Sequence, residues 1–212
     1  MLQFIFKVPI LCASIFGLCG CKIPYYDAQA VRSSLHASPP TPKSITVDGR
    51  NFHYVETQKG EQDNLIVFIH GSPGGWEAYG DYLKDSSLKE KAQLISVDRL
   101  GFGLSEKNKP EESLKTHAKM IGTIIQSQNI KGVIVVGHSY GGPVASRLAM
   151  DYPDYIDGLI LIAPSISPKH EVRRWYNELA SWKIIRWALP NALDTSNQEI
   201  LPLQNELKEM LP

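Results

Sequence analysis

The sequence predicts an α/β fold: a mostly parallel sheet with helices on both faces. Three observations predict it. Short continuous apolar runs recur along the body, at Leu65–Ile69, Leu94–Val97, Val133–Val136 and Leu159–Ile162. Runs of that kind suit strands covered on both faces. Amphipathic helical patterns separate several of them, the alternation that gives a parallel sheet with right-handed crossovers. The chain has 212 residues, 43% of them hydrophobic and 21% charged, which is room and composition for one folded domain.

The elements follow in order. In the first 20 residues Lys7 is the only charge, and Val8 to Gly20 is apolar or small. That run is short for a membrane span and has the length of a signal-peptide core. It ends in Leu18-Cys19-Gly20-Cys21, which resembles the bacterial lipobox. The resemblance implies cleavage after residue 20, lipid attachment to Cys21 and a lipid-anchored protein of the bacterial cell envelope; the alternative is an uncleaved hydrophobic anchor. Residues 21–43 carry Ser33-Ser34, Pro39-Pro40 and Pro42 without an apolar period, and read as a tether rather than a polyproline ligand. Ser44–Val47 and Phe52–Glu56 flank Asp48-Gly49, a hairpin signal. Leu114, Ala118, Ile121 and Ile125 form one helical stripe, and Val144, Leu148 and Tyr152 another.

Charge and cysteine usage exclude several functions. The 22 basic residues balance the 22 acidic ones, so nothing electrostatic points to nucleic acid or to an anionic membrane. All three cysteines, Cys12, Cys19 and Cys21, lie in the first 21 residues, which excludes a zinc ribbon or a disulfide-stapled body. No cysteine–histidine cluster and no phosphate loop is present, so neither metal nor cofactor is expected.

Three motifs stand at strand ends. Gly137-His138-Ser139-Tyr140-Gly141 follows a buried strand and precedes a helix. A serine nucleophile needs that arrangement, a tight turn that lifts the hydroxyl above the sheet, with glycines where backbones crowd. The helix start aims free N–H groups at developing negative charge. His70-Gly71-Ser72-Pro73-Gly74-Gly75 follows Leu65–Ile69. Alone it is an ordinary glycine turn; beside the serine turn it supplies a second oxyanion donor, with the Ser72 and Tyr140 N–H groups as the candidate pair. His70 is read as a brace for that loop. Asp98-Arg99-Leu100-Gly101-Phe102-Gly103-Leu104-Ser105 follows Leu94–Val97, and its charges are read as an ion pair that shapes the loop.

The HGSPGG, DRLGFGLS and GHSYGG segments, in this order, resemble the α/β-hydrolase superfamily over about Ser44 to Pro168, closest in character to its esterase and aminopeptidase-like branches. Epoxide hydrolases and haloalkane dehalogenases share the first two patterns but use an aspartate nucleophile; Ser139 argues against both. Leu100 stands where many relatives have proline. The resemblance implies a chain order of serine, acid, histidine. After Ser139 the one histidine is His170, and Glu171, Glu178, Asp194, Glu199, Glu206 and Glu209 lie in helical or polar context. Ala163-Pro164-Ser165 stands where some relatives place the acid. The expectation is therefore a hydrolase core over 44–168 and the start of a helical lid over 169–212, with the C-terminal strands missing and the chain ending before acid and histidine. His36, His53 and His117 are expected to be solvated or packed, and His138 to point away from Ser139.

One lid helix is expected through Val172, Trp175, Leu179, Trp182 and Ile185 or Arg186, its tryptophans packed on the core or roofing the substrate in preference to meeting a membrane. The expected activity is hydrolysis of an ester, thioester or amide through an acyl-enzyme on Ser139. Its partners are a small acyl substrate and a membrane reached through the lipid anchor. The alternative is a catalytically dead envelope lipoprotein, or a binding protein on the same fold.

Overall fold

The computed structural model describes residues 39–106, 109–167, 169 and 175–210. The apolar N-terminal run, Cys21, His36 and His170 lie outside the described residues.

Among the described residues six strands form one sheet: β1 Thr41–Val47, β2 Arg50–Glu56, β3 Asn64–Ile69, β4 Gln93–Val97, β5 Gly132–His138 and β6 Gly158–Ile162, in the order β1-β2-β4-β3-β5-β6. β1 and β2 are the hairpin expected at Asp48-Gly49, and both turn residues have positive φ, 52° and 75°. This is the geometry whose twist matches paired strands. β2 joins β4 antiparallel, while β4, β3, β5 and β6 run parallel. β1 starts three residues earlier than the alternation around Ser44 predicts.

The parallel strands alternate their burden. Leu65, Val67 and Ile69 of β3, with Val133 and Val135 of β5, face one layer. That layer holds α3 (Leu114–Gln128), α4 (Gly141–Asp151) and Leu203, Leu207 and Met210 of α7 (Asn191–Met210). Phe68, Leu94 and Val136 face the other, made by Trp76 and Tyr79 of a 3₁₀ turn and Leu83 of α1 (Gly80–Lys84). α2 (Ser86–Lys91) leads into β4 and is capped by Asp85, whose carboxylate accepts the Leu88 N–H. Each fully buried leucine or isoleucine in these layers contributes roughly 1.5–3 kcal/mol, so the doubly covered sheet fixes the strand ends that carry the three motifs.

β6 is the outermost strand among the described residues, and Leu159, Ile160 and Ile162 are 39–50% exposed. The lid differs from the single helix expected. Among the described residues it forms two helical stretches, α5 (Trp175–Ala180) and α6 (Lys183–Ala188), separated where Trp182 adopts extended backbone with ψ 135°. Its tryptophans do not pack on the core: Trp175, Trp182 and Trp187 are 74%, 61% and 90% exposed. The helical stripe is real as a spacing, but the break at residues 181–182 divides it and turns it to solvent.

Candidate active site

Ser139 sits where β5 ends and α4 begins, with φ 50°. A left-handed backbone costs a non-glycine residue roughly 1–2 kcal/mol, and three hydrogen bonds offset it. Ser139 N donates to Ile162 O (3.0 Å), while Ser139 O accepts from Gly142 N (2.9 Å) and Ser165 N (3.0 Å). Two neighbouring chains, the end of β6 and the segment after it, therefore hold the turn. Gly141 is required by close approach: a Cβ there would lie 2.2 Å from Ile69 O, so any side chain would push α4 off the end of β3. Its N-terminus stays aimed at the turn for that reason.

The HGSPGG loop lies directly on this turn. A Cβ built on Gly71 would stand 3.0 Å from Ser139 Cβ and 3.1 Å from His138 Nδ1. Among the described residues, no acceptor engages the Ser72 or Tyr140 N–H, and no side chain hydrogen-bonds the Ser139 hydroxyl. His138 is exposed and Ser139 half-buried.

A buried polar knot braces both loops. His70 is 1% exposed; its Nδ1 bonds Gly71 O (2.6 Å) and its Nε2 accepts the Arg99 N–H (3.0 Å). Burial first, then the Arg99 charge, holds its pKa down at about 3, so the ring is neutral. Both nitrogens are occupied, which makes it a brace and unfits it as a base. Arg99 is fully buried: Nε donates to His70 O (3.0 Å), Nη2 to Gly71 O (3.1 Å), and the guanidinium pairs with Glu199 at 2.5 and 3.1 Å. Its Cζ stands over the Phe102 ring at 4.8 Å and over the Tyr140 ring at 4.5 Å. Glu199 also accepts the Ser72 hydroxyl at 2.7 Å, and Ser196 stands 2.9 Å from the same oxygen.

Asp98 and Arg99 do not pair with one another. Asp98 accepts Trp76 N (2.8 Å), Leu104 N (3.0 Å) and the His53 ring at Nδ1 (2.8 Å). Gly103, at φ 52°, is the one residue type that fits over this carboxylate, since a Cβ would fall 2.1 Å from Asp98 Cγ. His53 and His117 are buried and packed, as their positions on a strand and a helix suggest. His117 is driven well below its ordinary pKa by burial and then by Arg99.

Glu199 is the residue that sequence reasoning missed. It reads as one more acid in a polar helix, yet it is fully buried, and burial raises its pKa against the pull of Arg99. A signal was present. Glu199, Leu203, Leu207 and Met210 recur at four, four and three, so the carboxylate is in line with the buried stripe of α7. An arginine at the end of a buried strand calls for such a partner.

A family profile described as "alpha/beta hydrolase fold" matches residues 64–183, more than half of the chain and all three motifs. The chain belongs to the α/β-hydrolase fold family. Family relatives include "Epoxide hydrolase 4" of Mus musculus, 29% identical over 187 residues, 75% of this chain and 51% of that protein. "Epoxide hydrolase 1" of Caenorhabditis elegans is 31% identical over 135 residues, 61% of this chain and 33% of that protein. The chain thus spans between a third and a half of the length of these relatives. Cfl2 of Burkholderia cenocepacia superposes with a TM-score of 0.64 at 18% identity, covering 82% of this chain and 74% of that one, a likeness of fold. The mouse and nematode relatives carry the names of epoxide hydrolases.

Proposed function

We propose that this protein is a serine hydrolase acting on an ester, thioester or amide. The observation that carries the reading is Ser139 at positive φ, on a strand–helix turn against the Gly71 loop, with no acceptor on the Ser72 or Tyr140 N–H among the described residues. In the reaction the Ser139 oxygen attacks the acyl carbon while its proton passes to a base. The carbonyl oxygen, now negative, takes hydrogen bonds from Ser72 and Tyr140 N–H, assisted by the dipole of α4. The leaving group departs with a proton, and water then releases the acyl group. The described histidines offer no base bonded to Ser139: His70 is bonded at both nitrogens, His53 is buried on β2 against Asp98, His117 is buried beside Arg99, and His138 is exposed without a hydrogen bond to the serine. The base comes from His170 or from a chain segment beyond these residues. An aspartate-based epoxide opening has no support at this position, where the side chain is a hydroxyl.

Hydrolysis of a panel of short aryl esters, thioesters and anilides by the protein and by Ser139→Ala tests the proposal. Turnover that disappears in the variant supports it; turnover retained in the variant, or absent with every substrate, sinks it and favours a binding protein on the hydrolase fold. The envelope location rests on the Leu18–Cys21 sequence. Labelled fatty acid should enter the parent and not Cys21→Ala; equal incorporation would refute the lipid anchor.

A further inference from the structure

We propose that Glu199 is a positioning residue for the acyl transfer: from α7 it aims the Gly71–Ser72 peptide, whose N–H is one oxyanion donor, through the Ser72 side chain and through Arg99. The proposal rests on the serine-hydrolase reading and adds a residue to it. The first ground is that Glu199 does more than neutralise an arginine. A carboxylate kept only for charge balance would bond the guanidinium alone. Here Oε1 accepts from Arg99 Nη1 (2.5 Å), while Oε2 accepts from both Arg99 Nη2 (3.1 Å) and the Ser72 hydroxyl (2.7 Å). Hydrogen bonds to an ionised acceptor are about twice as strong as neutral ones, so the Ser72 side chain has a firm anchor. The contact joins positions 127 residues apart, where no local turn demands it.

The second ground is the peptide itself. The one cis bond among the described residues is Ser72–Pro73, so the Gly71–Ser72 peptide is trans. A trans peptide is planar, with its C=O and N–H pointing in opposite directions. Gly71 O is held from one side: Arg99 Nη2 donates to it at 3.1 Å and His70 Nδ1 at 2.6 Å. His70 Nδ1 carries the proton, because Nε2 accepts the Arg99 N–H. With the carbonyl pinned toward Arg99, the Ser72 N–H points away from it. Two donors on one carbonyl also polarise the peptide and strengthen its N–H as a donor. The guanidinium is in turn fixed by Glu199 and by His70 O, which accepts from Nε at 3.0 Å. Its Cζ stands over the ring of Tyr140, the residue that offers the other donor. One carboxylate thus reaches both donor residues, Ser72 by two routes and Tyr140 through the arginine.

The third ground is the seat of α7. Leu203, Leu207 and Met210 pack into the core, and Glu206 accepts the Leu114 N–H at 2.8 Å. Thr195 comes so close to the loop after β4 that a Cβ on Gly101 would stand 2.9 Å from its Cγ2. The helix around Glu199 is therefore held at both ends of its contact, and the carboxylate is a fixed point, as an orienting group must be.

The test compares the full chain with Glu199→Gln, with Ser72→Ala, which keeps the backbone N–H, and with Glu206→Gln as a control on the same helix. One arm needs no turnover. By amide nitrogen relaxation the order parameter of the Ser72 N–H should fall from about 0.85 in the parent to below about 0.6 in Glu199→Gln, and stay high in Glu206→Gln. The other arm is hydrolysis of an aryl ester and of its thionoester, in which sulfur, a weak acceptor, replaces the carbonyl oxygen. Glu199→Gln should lower kcat for the ester by about 10²-fold with KM little changed. It should also shrink the ester-to-thionoester rate ratio, which a loss of stability alone does not move; Glu206→Gln should leave that ratio unchanged. A Ser72 amide as rigid in Glu199→Gln as in the parent overturns the proposal alone, and so does an unchanged ratio where the parent's turnover depends on Ser139. Turnover that survives Ser139→Ala, or is absent from the parent, overturns the serine-hydrolase reading and the proposal with it. Should Glu199→Gln prevent folding, Ser72→Ala decides: a reduced ratio supports the proposal, and a ratio equal to the parent's overturns it.

Discussion

The knot beside Ser139 and the lid use the same residue types to opposite effect. Each contains an arginine–carboxylate pair. Arg99 and Glu199 are fully enclosed, whereas Arg186 and Asp194 make an equally well-shaped pair, at 2.8 and 3.0 Å, on the surface. The tryptophans differ as sharply: Trp76, in the core, is 6% exposed, and Trp187, in the lid, 90%. Geometry alone does not set what a pair contributes. Water surrounds the lid pair and competes with it, so its worth is about 0.2–1 kcal/mol. No water reaches the inner pair, so losing one member strands a charge in the core. The knot is a place where the chain is held; the lid is a place where it meets its surroundings.

Changes in either region sharpen or break that contrast. Ser139→Ala, inside the held region, should lower kcat by about 10⁴-fold or more with KM little changed, because the donors remain while attack is lost. A rate within tenfold of the parent would put the nucleophile elsewhere. Glu199→Ala should cost about 3–5 kcal/mol in urea unfolding, since Arg99 is left buried and unpaired. Joint replacement of Arg99 and Glu199 by methionine should recover much of that loss. A cost under about 1 kcal/mol, the figure expected for Arg186→Ala, would erase the difference between the two pairs.

Acid should act on the held region next. The unfolded chain protonates His70 as the pH falls through its ordinary 6.5, but the folded protein cannot until about 3. Stability is therefore complete above about pH 7 and declines through that window at up to about 1.4 kcal/mol per pH unit for each such histidine. His117 adds a contribution of the same sign. Glu199, raised above its ordinary 4.5 by burial, takes up a proton earlier when folded and offsets part of the loss at the acid end. Urea midpoints that stay flat from pH 7 to 5 would show that the histidines are not locked neutral. The smallest effect belongs to the lid: Trp187→Ser should change stability by no more than about 0.5 kcal/mol, and a loss above 2 kcal/mol would mean that Trp187 packs on something.

What could be read from the sequence follows the same division. The strands, the hairpin at Asp48-Gly49, the Ser139 turn and the bracing role of His70 are encoded in residues close together in the chain. Local runs and glycine placement suffice for them. The Arg99–Glu199 pair spans 100 positions, and only the fold brings its members together. Residues beside Arg99 carry no sign of its partner, although the α7 stripe does. The lid stripe misled for a different reason. Period tells which side chains share a helix face, but not whether another surface covers that face, and the extended backbone at Trp182 divides the stripe in two.

Covalent capture tests the nucleophile most directly. The full-length protein is treated with a fluorophosphonate probe, and the adduct is mapped by peptide mass spectrometry. The account predicts near-stoichiometric phosphonylation of Ser139 and none in Ser139→Ala. An unmodified Ser139 under conditions that label a reference serine esterase to completion, or an adduct on any other serine, would contradict it.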